Sequence, residues 1–317
     1  MNNGYHQLRV DEDSKKYLVV TTPWGNLKHE TLAQGWLTSQ DEFDRRIDEI
    51  LAGIPHVKSN RDDCLIGGKD WDEHNKTLDQ VLTRIQDHGL TLKLTKCEFG
   101  KEEVEFYGVR FTGEGMKPAR EKVRALKECG EPSSKEGVRS FLQMVGYMSR
   151  FIQNFAQIAA PLRQLTKSAS TFQWGSREQD AFDSLKDSLT EQTTLSYFVP
   201  GKPIRIYVDA GKKTEKSGNV PGGLCAVLCQ QNDDGEWKMC HVANRALTDV
   251  ETRYGQTELE AAAIKVTCAN ALYKYLVGAP KLEIITDCKP LVHLFNNPTS
   301  RAPLRIERQI LAIQGLD

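Results

Sequence analysis

Two adjacent carboxylates, Asp62 and Asp63, stand within Asn60-Arg61-Asp62-Asp63-Cys64-Leu65-Ile66-Gly67-Gly68, a polar approach followed by a short apolar run and a glycine pair. Two neighbouring Asp are not buried together without a cation. A strand, a sharp turn at Asp62-Asp63 and a second strand would present both at a hairpin tip, where a divalent ion such as magnesium can gather them. Alone, an Asp-Asp pair is more often a solvated turn, so its weight comes from its surroundings. Far downstream, Ile204-Arg205-Ile206-Tyr207-Val208-Asp209 and Leu282-Glu283-Ile284-Ile285-Thr286-Asp287 each read as a strand ending in an acid. A helix lies between them, which implies a parallel pair with a crossover. Such a pair brings Asp209 and Asp287 together at one edge of the sheet.

The elements that must hold these acids are legible on either side. Leu18 to Thr22 reads as a strand with its turn at Trp24-Gly25-Asn26. Phe43, Ile47, Ile50 and Leu51 recur at helical spacing, as do Leu78, Val81, Leu82 and Ile85 in a helix that stops at Gly89. Val104 to Val109 alternates as a strand. From Lys117 through Arg120, Lys122, Arg124, Lys127, Lys135 and Arg139 the balance turns basic, with Val123, Leu126, Val138, Leu142 and Val145 between. Basic helices of this kind suit a phosphate track, and equally a solvated face. Ala181 to Lys186 forms an amphipathic helix anchored by Trp174. Gly222 to Leu228 and Trp237 to Val242 read as two more strands, and Leu304 to Gln314 as a last helix.

Composition excludes several classes. The chain has 317 residues, 39% hydrophobic and 27% charged, enough for two or three ordered domains. A net charge of -1 argues against a globally basic nucleic-acid binder, so such binding must come from local patches. No apolar run is long enough to span a bilayer and no signal peptide opens the chain, which places it in cytosol or nucleus. The eight Cys show no CxxC pair and no His at zinc spacing, and read as reduced thiols rather than a structural zinc.

Gly4-Tyr5-His6-Gln7 with Asp62-Asp63 resembles the polymerase of gypsy-type LTR retrotransposons, whose motif Asp-Met-x-x-Gly-Tyr-His-Gln places a catalytic Asp just before the residue that is Met1 here. The resemblance implies that Tyr5 is the steric gate against a 2′-hydroxyl. Gln34 and Gly35, from Gln34-Gly35-Trp36, would back the incoming nucleotide. Lys96 would protonate the pyrophosphate leaving group, while Phe106, Tyr107 and Gly108 would hold the primer backbone. Val138 to Leu142, Gly146 to Phe155, Pro161 to Thr166 and Phe172-Gln173-Trp174 resemble the same family's thumb. Arg61 departs from the pattern: it would obstruct the primer end, or pair with Asp62 or Asp63 and mask a metal site.

From Ile204 onward the chain resembles ribonuclease H. That family takes a third carboxylate from the intervening helix, where Thr257-Glu258-Leu259-Glu260 offers two. Thr257 and Glu260 read as a capping box, which occupies Glu260 and leaves Glu258 free. The implied metal set is Asp209, Glu258 and Asp287 beside the polymerase pair Asp62 and Asp63. It would act with Mg2+, or Mn2+ in its place, through two ions that activate water and stabilise the leaving 3′-oxygen of an RNA strand. A loop from Gly211 to Pro221 with Lys212, Lys213 and Lys216 is longer than the family's hairpin, and a fourth family carboxylate would lie beyond Asp317, leaving the Leu282 to Asp287 strand bare on one side.

The expected fold class is therefore α+β and α/β. A partial reverse transcriptase palm (1–112) and helical thumb (113–170) are joined by a connection (171–200) to a ribonuclease H-like mixed sheet with flanking helices (201–317). The expected partners are RNA–DNA hybrid and primer-template, with dNTP in the complete enzyme and other parts of the Pol polyprotein beside it, and no membrane. Polymerase activity is not expected from this chain by itself. The alternative is a remnant, decayed or domesticated, that binds hybrid without cutting it; a further one is a fragment whose sheets have lost strands.

Overall fold

The computed structural model describes residues 1, 3–168, 170–189, 193–211, 222–297, 300–313 and 315; Lys212, Lys213, Lys216, Gln314 and Asp317 lie outside them. The chain divides into two compact units, Met1–Lys101 and Glu102–Asp317.

The first unit opens on a 3-10 turn, Gly4–Gln7, and a short helix α1 (Glu12–Lys15). The hairpin β1 (Val19–Thr22) and β2 (Gly25–Lys28) turns at Pro23-Trp24, and α2 (Ser39–Leu51) follows. Next come β3 (Val57–Asn60), β4 (Asp63–Ile66), α3 (Trp71–Asp87) and a 3-10 turn Leu94–Lys96. The stripe Phe43, Ile47, Ile50 and Leu51 of α2 is buried against Val81, Ile85 and Leu90. One helical position departs from expectation: Leu82 is 38% exposed, and Thr77 takes the inward place one turn before Val81. The stripe of α3 thus runs Thr77, Val81, Ile85, each four residues apart on one face.

In the second unit β5 (Val104–Phe106), β6 (Val109–Thr112) and β7 (Gly115–Pro118) form an antiparallel sheet. Both turn residues between β5 and β6, Tyr107 and Gly108, have positive φ (48° and 66°), as a type I′ hairpin requires. Helices α4 (Arg120–Glu128), α5 (Lys135–Tyr147), α6 (Phe155–Ile158), α7 (Ala160–Leu165) and α8 (Ser176–Ser188) enclose a core of Val123, Phe141, Val145, Leu162, Phe182 and Leu185. On α4 the cations Arg120, Lys122, Arg124 and Lys127 are exposed while Val123 and Leu126 are buried. Trp174 meets Phe182 edge-on at 5.8 Å and donates to Gln179 on α8 at 2.8 Å, the anchor expected of it.

The last part is a four-stranded sheet. β8 (Ile204–Gly211), β9 (Gly223–Gln231), β10 (Trp237–Ala246) and β11 (Leu282–Ile285) lie in the order β10-β9-β8-β11. β8 and β11 are parallel and the other pairs antiparallel. Between β10 and β11 run α9 (Gln256–Val266), a π turn Thr267–Ala271 and α10 (Tyr273–Leu276); α11 (Lys289–Asn296) and α12 (Leu304–Leu311) follow β11. The inward face of β8, with Ile204, Ile206, Val208 and Ala210, packs on Leu259, Ala261 and Ala263 of α9. Three consecutive alanines let the helix lie close on the sheet. Among the described residues, β11 is an edge strand and no helix is long and apolar enough to cross a membrane.

Candidate active site

In the first unit the acid hairpin forms, with its turn one residue earlier than the sequence suggested. Asn60 pairs with Asp63, so the two-residue loop is Arg61-Asp62 and Asp63 already belongs to β4. Arg61 takes the left-handed strain of that loop at φ 53°, a position that suits glycine. It makes no ion pair with Asp62 or Asp63, so the masking pair does not form; the loop geometry turns its exposed side chain into solvent.

Both carboxylates are exposed at the tip. Gly4 is buried beside Phe43 and Asp62: a Cβ there would come within 2.8 Å of the Phe43 ring and 3.0 Å of Asp62 Oδ1. Tyr5 rests its ring 5.3 Å from that of Phe43, and its hydroxyl donates to Gln40 Oε1 on α2. The Gly-Tyr segment, α2 and the hairpin tip therefore meet around Phe43. Gln34 and Gly35 are exposed ahead of α2, Gly35 at φ 84°, and Lys96 is exposed on its 3-10 turn. In the second unit Phe106 packs edge-on against Tyr107 at 4.9 Å, and the Tyr107 carbonyl accepts from the Tyr147 hydroxyl of α5.

The second acid group lies at the β8 and β11 ends. Asp209 is an exposed residue inside β8, and Asp287 falls two residues past the end of β11. The parallel register pairs Ile285 with Tyr207; continued two residues, it sets Asp287 beside Asp209.

The helix between them corrects the sequence reading. α9 begins at Gln256 with Gly255 as its N-cap, so the third helical residue is Glu258 and not Glu260. Glu258 Oε2 accepts from the Gly255 N–H at 2.9 Å, and its other oxygen pairs with Arg305 of α12 at 2.8 Å. Arg305 also covers the Tyr254 ring at 4.5 Å. Glu258, expected to be free, is the capping residue. Thr257 is already inside the helix and makes no box with Glu260, because the chain enters the helix two residues earlier than a Thr N-cap would place it.

Glu260 is the acid that turns inward. It is 2% exposed, and its Oε2 is buried with no hydrogen-bond partner. Its other oxygen accepts from Gln256 Nε2 at 2.8 Å, and the same nitrogen donates to the Ala210 carbonyl of β8 at 2.6 Å. Burial pushes the Glu260 carboxyl up to about 7; the Gln256 hydrogen bond opposes this, while the charges of Asp287 and Asp209 add to it.

A stability signature follows. A carboxyl raised from 4.5 to about 7 holds its proton in the folded state after the unfolded chain has lost it. The contribution of Glu260 is complete below about pH 4.5, declines as pH rises through 7, and is flat above. In metal-free buffer the urea midpoint of the native chain should fall relative to Glu260→Gln between pH 5 and pH 7.5; parallel curves would contradict this placement of Glu260.

Among the described residues no three His, Cys, Asp or Glu side chains stand close enough to ligate one ion as they are. The donor chemistry nevertheless fits a hard divalent cation: the buried Oε2 of Glu260 has no hydrogen-bond donor, and its carboxyl feels the negative charges of Asp287 and Asp209.

The model of the reverse transcriptase (RNA-dependent DNA polymerase) family matches residues 1–111, and that of the RNase H-like domain found in reverse transcriptase matches residues 174–284. The chain is 28% identical over 303 residues to the retrovirus-related Pol polyprotein from transposon 412 of Drosophila melanogaster, covering 94% of this chain and 24% of that protein. It is 26% identical over 319 residues to the transposon Tf2-3 polyprotein of Schizosaccharomyces pombe, covering 100% of this chain and 23% of that protein. The chain thus spans about a quarter of the length of these curated relatives. Among solved structures, a foamy viral protease-reverse transcriptase in complex with RNA/DNA hybrid superposes with a TM-score of 0.78 at 20% identity, covering 98% of this chain and 41% of that chain. A complex of the foamy viral protein with dsDNA gives the same TM-score, with 99% and 64% covered. The fold is that of a reverse transcriptase palm and thumb followed by a ribonuclease H-like domain. The chain is homologous to the Pol polyproteins of retrotransposons.

Proposed function

We propose that this chain is the polymerase and nuclease segment of a gypsy-type retrotransposon Pol, and that its ribonuclease H-like domain cuts the RNA strand of an RNA–DNA hybrid through Asp209, Glu260 and Asp287. The observation that carries the reading is the buried, unpartnered Oε2 of Glu260, on a carboxyl whose proton affinity the charges of Asp287 and Asp209 raise. These residues would hold magnesium, or manganese in its place, which when bound supplies an activated water and stabilises charge on the leaving 3′-oxygen.

The chain supplies the rest. The packing of α9 on the sheet keeps bulk water from Glu260, and the β8/β11 register points Asp287, just past β11, toward the level of Asp209 in β8. The exposed cations of α4 offer a track for duplex phosphates. In the complete enzyme, Asp62 and Asp63 would serve the polymerase site on primer-template and dNTP. Tyr5, Gln34, Gly35 and Lys96 would stand around the nucleotide, and Phe106, Tyr107 and Gly108 at the primer. The domain boundaries proposed are 1–112, 113–170, 171–200 and 201–317.

One observation favours a binding module that does not cut: no described trio of acids is already spaced for one ion. Incubation of the chain with labelled RNA–DNA hybrid in magnesium separates the two. The proposal expects cleavage that leaves a 5′-phosphate and is lost in Asp209→Asn. Hybrid binding with no cleavage by either protein would leave the binding module.

A further inference from the structure

The amide of Gln256 has two hydrogens on one nitrogen, and both are engaged. One reaches Glu260 Oε1 at 2.8 Å, and the other the Ala210 carbonyl at 2.6 Å. The Ala210 carbonyl can only accept, so a flipped amide would set its oxygen against that carbonyl oxygen, and its orientation is therefore fixed. Gln256 and Glu260 are one helical turn apart on the same face of α9, while Ala210 follows Asp209 in β8. A single side chain therefore ties one acid to the strand that carries another.

Neighbouring contacts hold Gln256 in place. It is the first residue of α9, and Glu258 fixes that helix start through the Gly255 N–H and Arg305. With Oε1 occupied by the amide, Oε2 is the Glu260 oxygen left without a hydrogen-bond partner.

We propose that Gln256 is a positioning residue for the nuclease carboxylates: it clamps Glu260 Oε1 to the β8 main chain beside Asp209, so that Oε2 is the oxygen presented to a divalent cation. The inference rests on the reading of Asp209, Glu260 and Asp287 as a metal site. Gln256 is here a clamp between protein groups and not a contact to the nucleic acid.

The test uses the whole chain with Mn2+ as probe. Manganese binding is followed by the loss of its free-ion paramagnetic resonance signal, and hybrid binding by fluorescence anisotropy in metal-free buffer. Gln256→Leu removes both hydrogen bonds at similar size; Gln256→Asn keeps the amide on a stem too short to span both acceptors and serves if the leucine variant fails to fold. The expected result is manganese affinity weakened roughly tenfold or more, as loss of an orienting partner typically does, with hybrid affinity unchanged and kcat for cleavage reduced at constant KM. Unchanged manganese affinity in both variants overturns the clamp while leaving the metal site standing. Weakened hybrid affinity with unchanged manganese affinity also overturns it and makes Gln256 a substrate contact. Failure of the native chain to bind manganese at all overturns the site reading itself, and the clamp with it.

Discussion

Glu260→Gln should abolish cleavage of the RNA strand, by about a thousandfold or more, while Glu258→Gln stays within a few-fold of the native chain. The two residues are two apart in sequence, but α9 turns them to opposite surroundings. Glu260 is 2% exposed with an unpartnered oxygen, and its carboxyl feels the charges of Asp287 and Asp209. An amide there keeps the volume and removes the charge that a cation needs; the loss of several kcal/mol of charge stabilisation corresponds to about three powers of ten in rate. Glu258 spends one oxygen on the Gly255 N–H and the other on Arg305. A Gln in its place still offers an oxygen to the helix start and gives up only a half-exposed ion pair, which costs about 1 kcal/mol or less. Rates for both variants on one labelled hybrid decide the matter. The reverse order, with Glu258→Gln inactive and Glu260→Gln active, would return the site to the residue that sequence pattern favours.

The pattern Thr257-x-x-Glu260 is a valid helix-start signature, and nothing local in it is wrong. The helix begins earlier because Gly255, after Tyr254, leaves the strand-like backbone as N-cap, and a glycine cap carries no side-chain signal beyond its own permissiveness. Glu258 and Glu260, two positions apart at 3.6 residues per turn, point to opposite sides of α9, so exchanging their roles exchanges the helix cap for the buried acid. The hairpin shows the same effect on a smaller scale: the Asp-Asp pair reads as the turn, whereas the register sets the turn at Arg61-Asp62. What was legible rested on periodicity over longer runs. The stripe Phe43, Ile47, Ile50, Leu51 and the parallel pairing of β8 with β11 both depend on several residues agreeing.

Gly115→Ala should cost the second unit about 3 kcal/mol or more, lowering its melting temperature by roughly 6 to 12 °C. Gly115 stands at φ 142°, and a Cβ there would lie 2.3 Å from the Leu195 carbonyl oxygen, a backbone atom that cannot swing aside. The contact is built into the link between the thumb and the nuclease sheet. Met116 and Leu195 exchange hydrogen bonds at 2.7 and 2.8 Å, and Ser196 donates to Met239 of β10 at 2.7 Å. Leu195 itself is fully buried in the thumb core. Gly113, two residues away, has open space where a Cβ would go, so Gly113→Ala serves as the neutral control. Thermal melts of the two variants should differ by that full amount; equal melts would mean that the connecting segment is not pinned at Leu195. No sequence pattern marks Gly115, since the atom that forbids a side chain comes from 80 residues further along the chain.

The central claim is that Asp209, Glu260 and Asp287 form a metal-binding site. The most direct measurement is anomalous scattering from crystals of the chain soaked in Mn2+. Density is expected bounded by Glu260 Oε2 and the carboxylates of Asp209 and Asp287, and none at Glu258. Density at Glu258, or none beside Glu260 in crystals that bind manganese elsewhere, would contradict it.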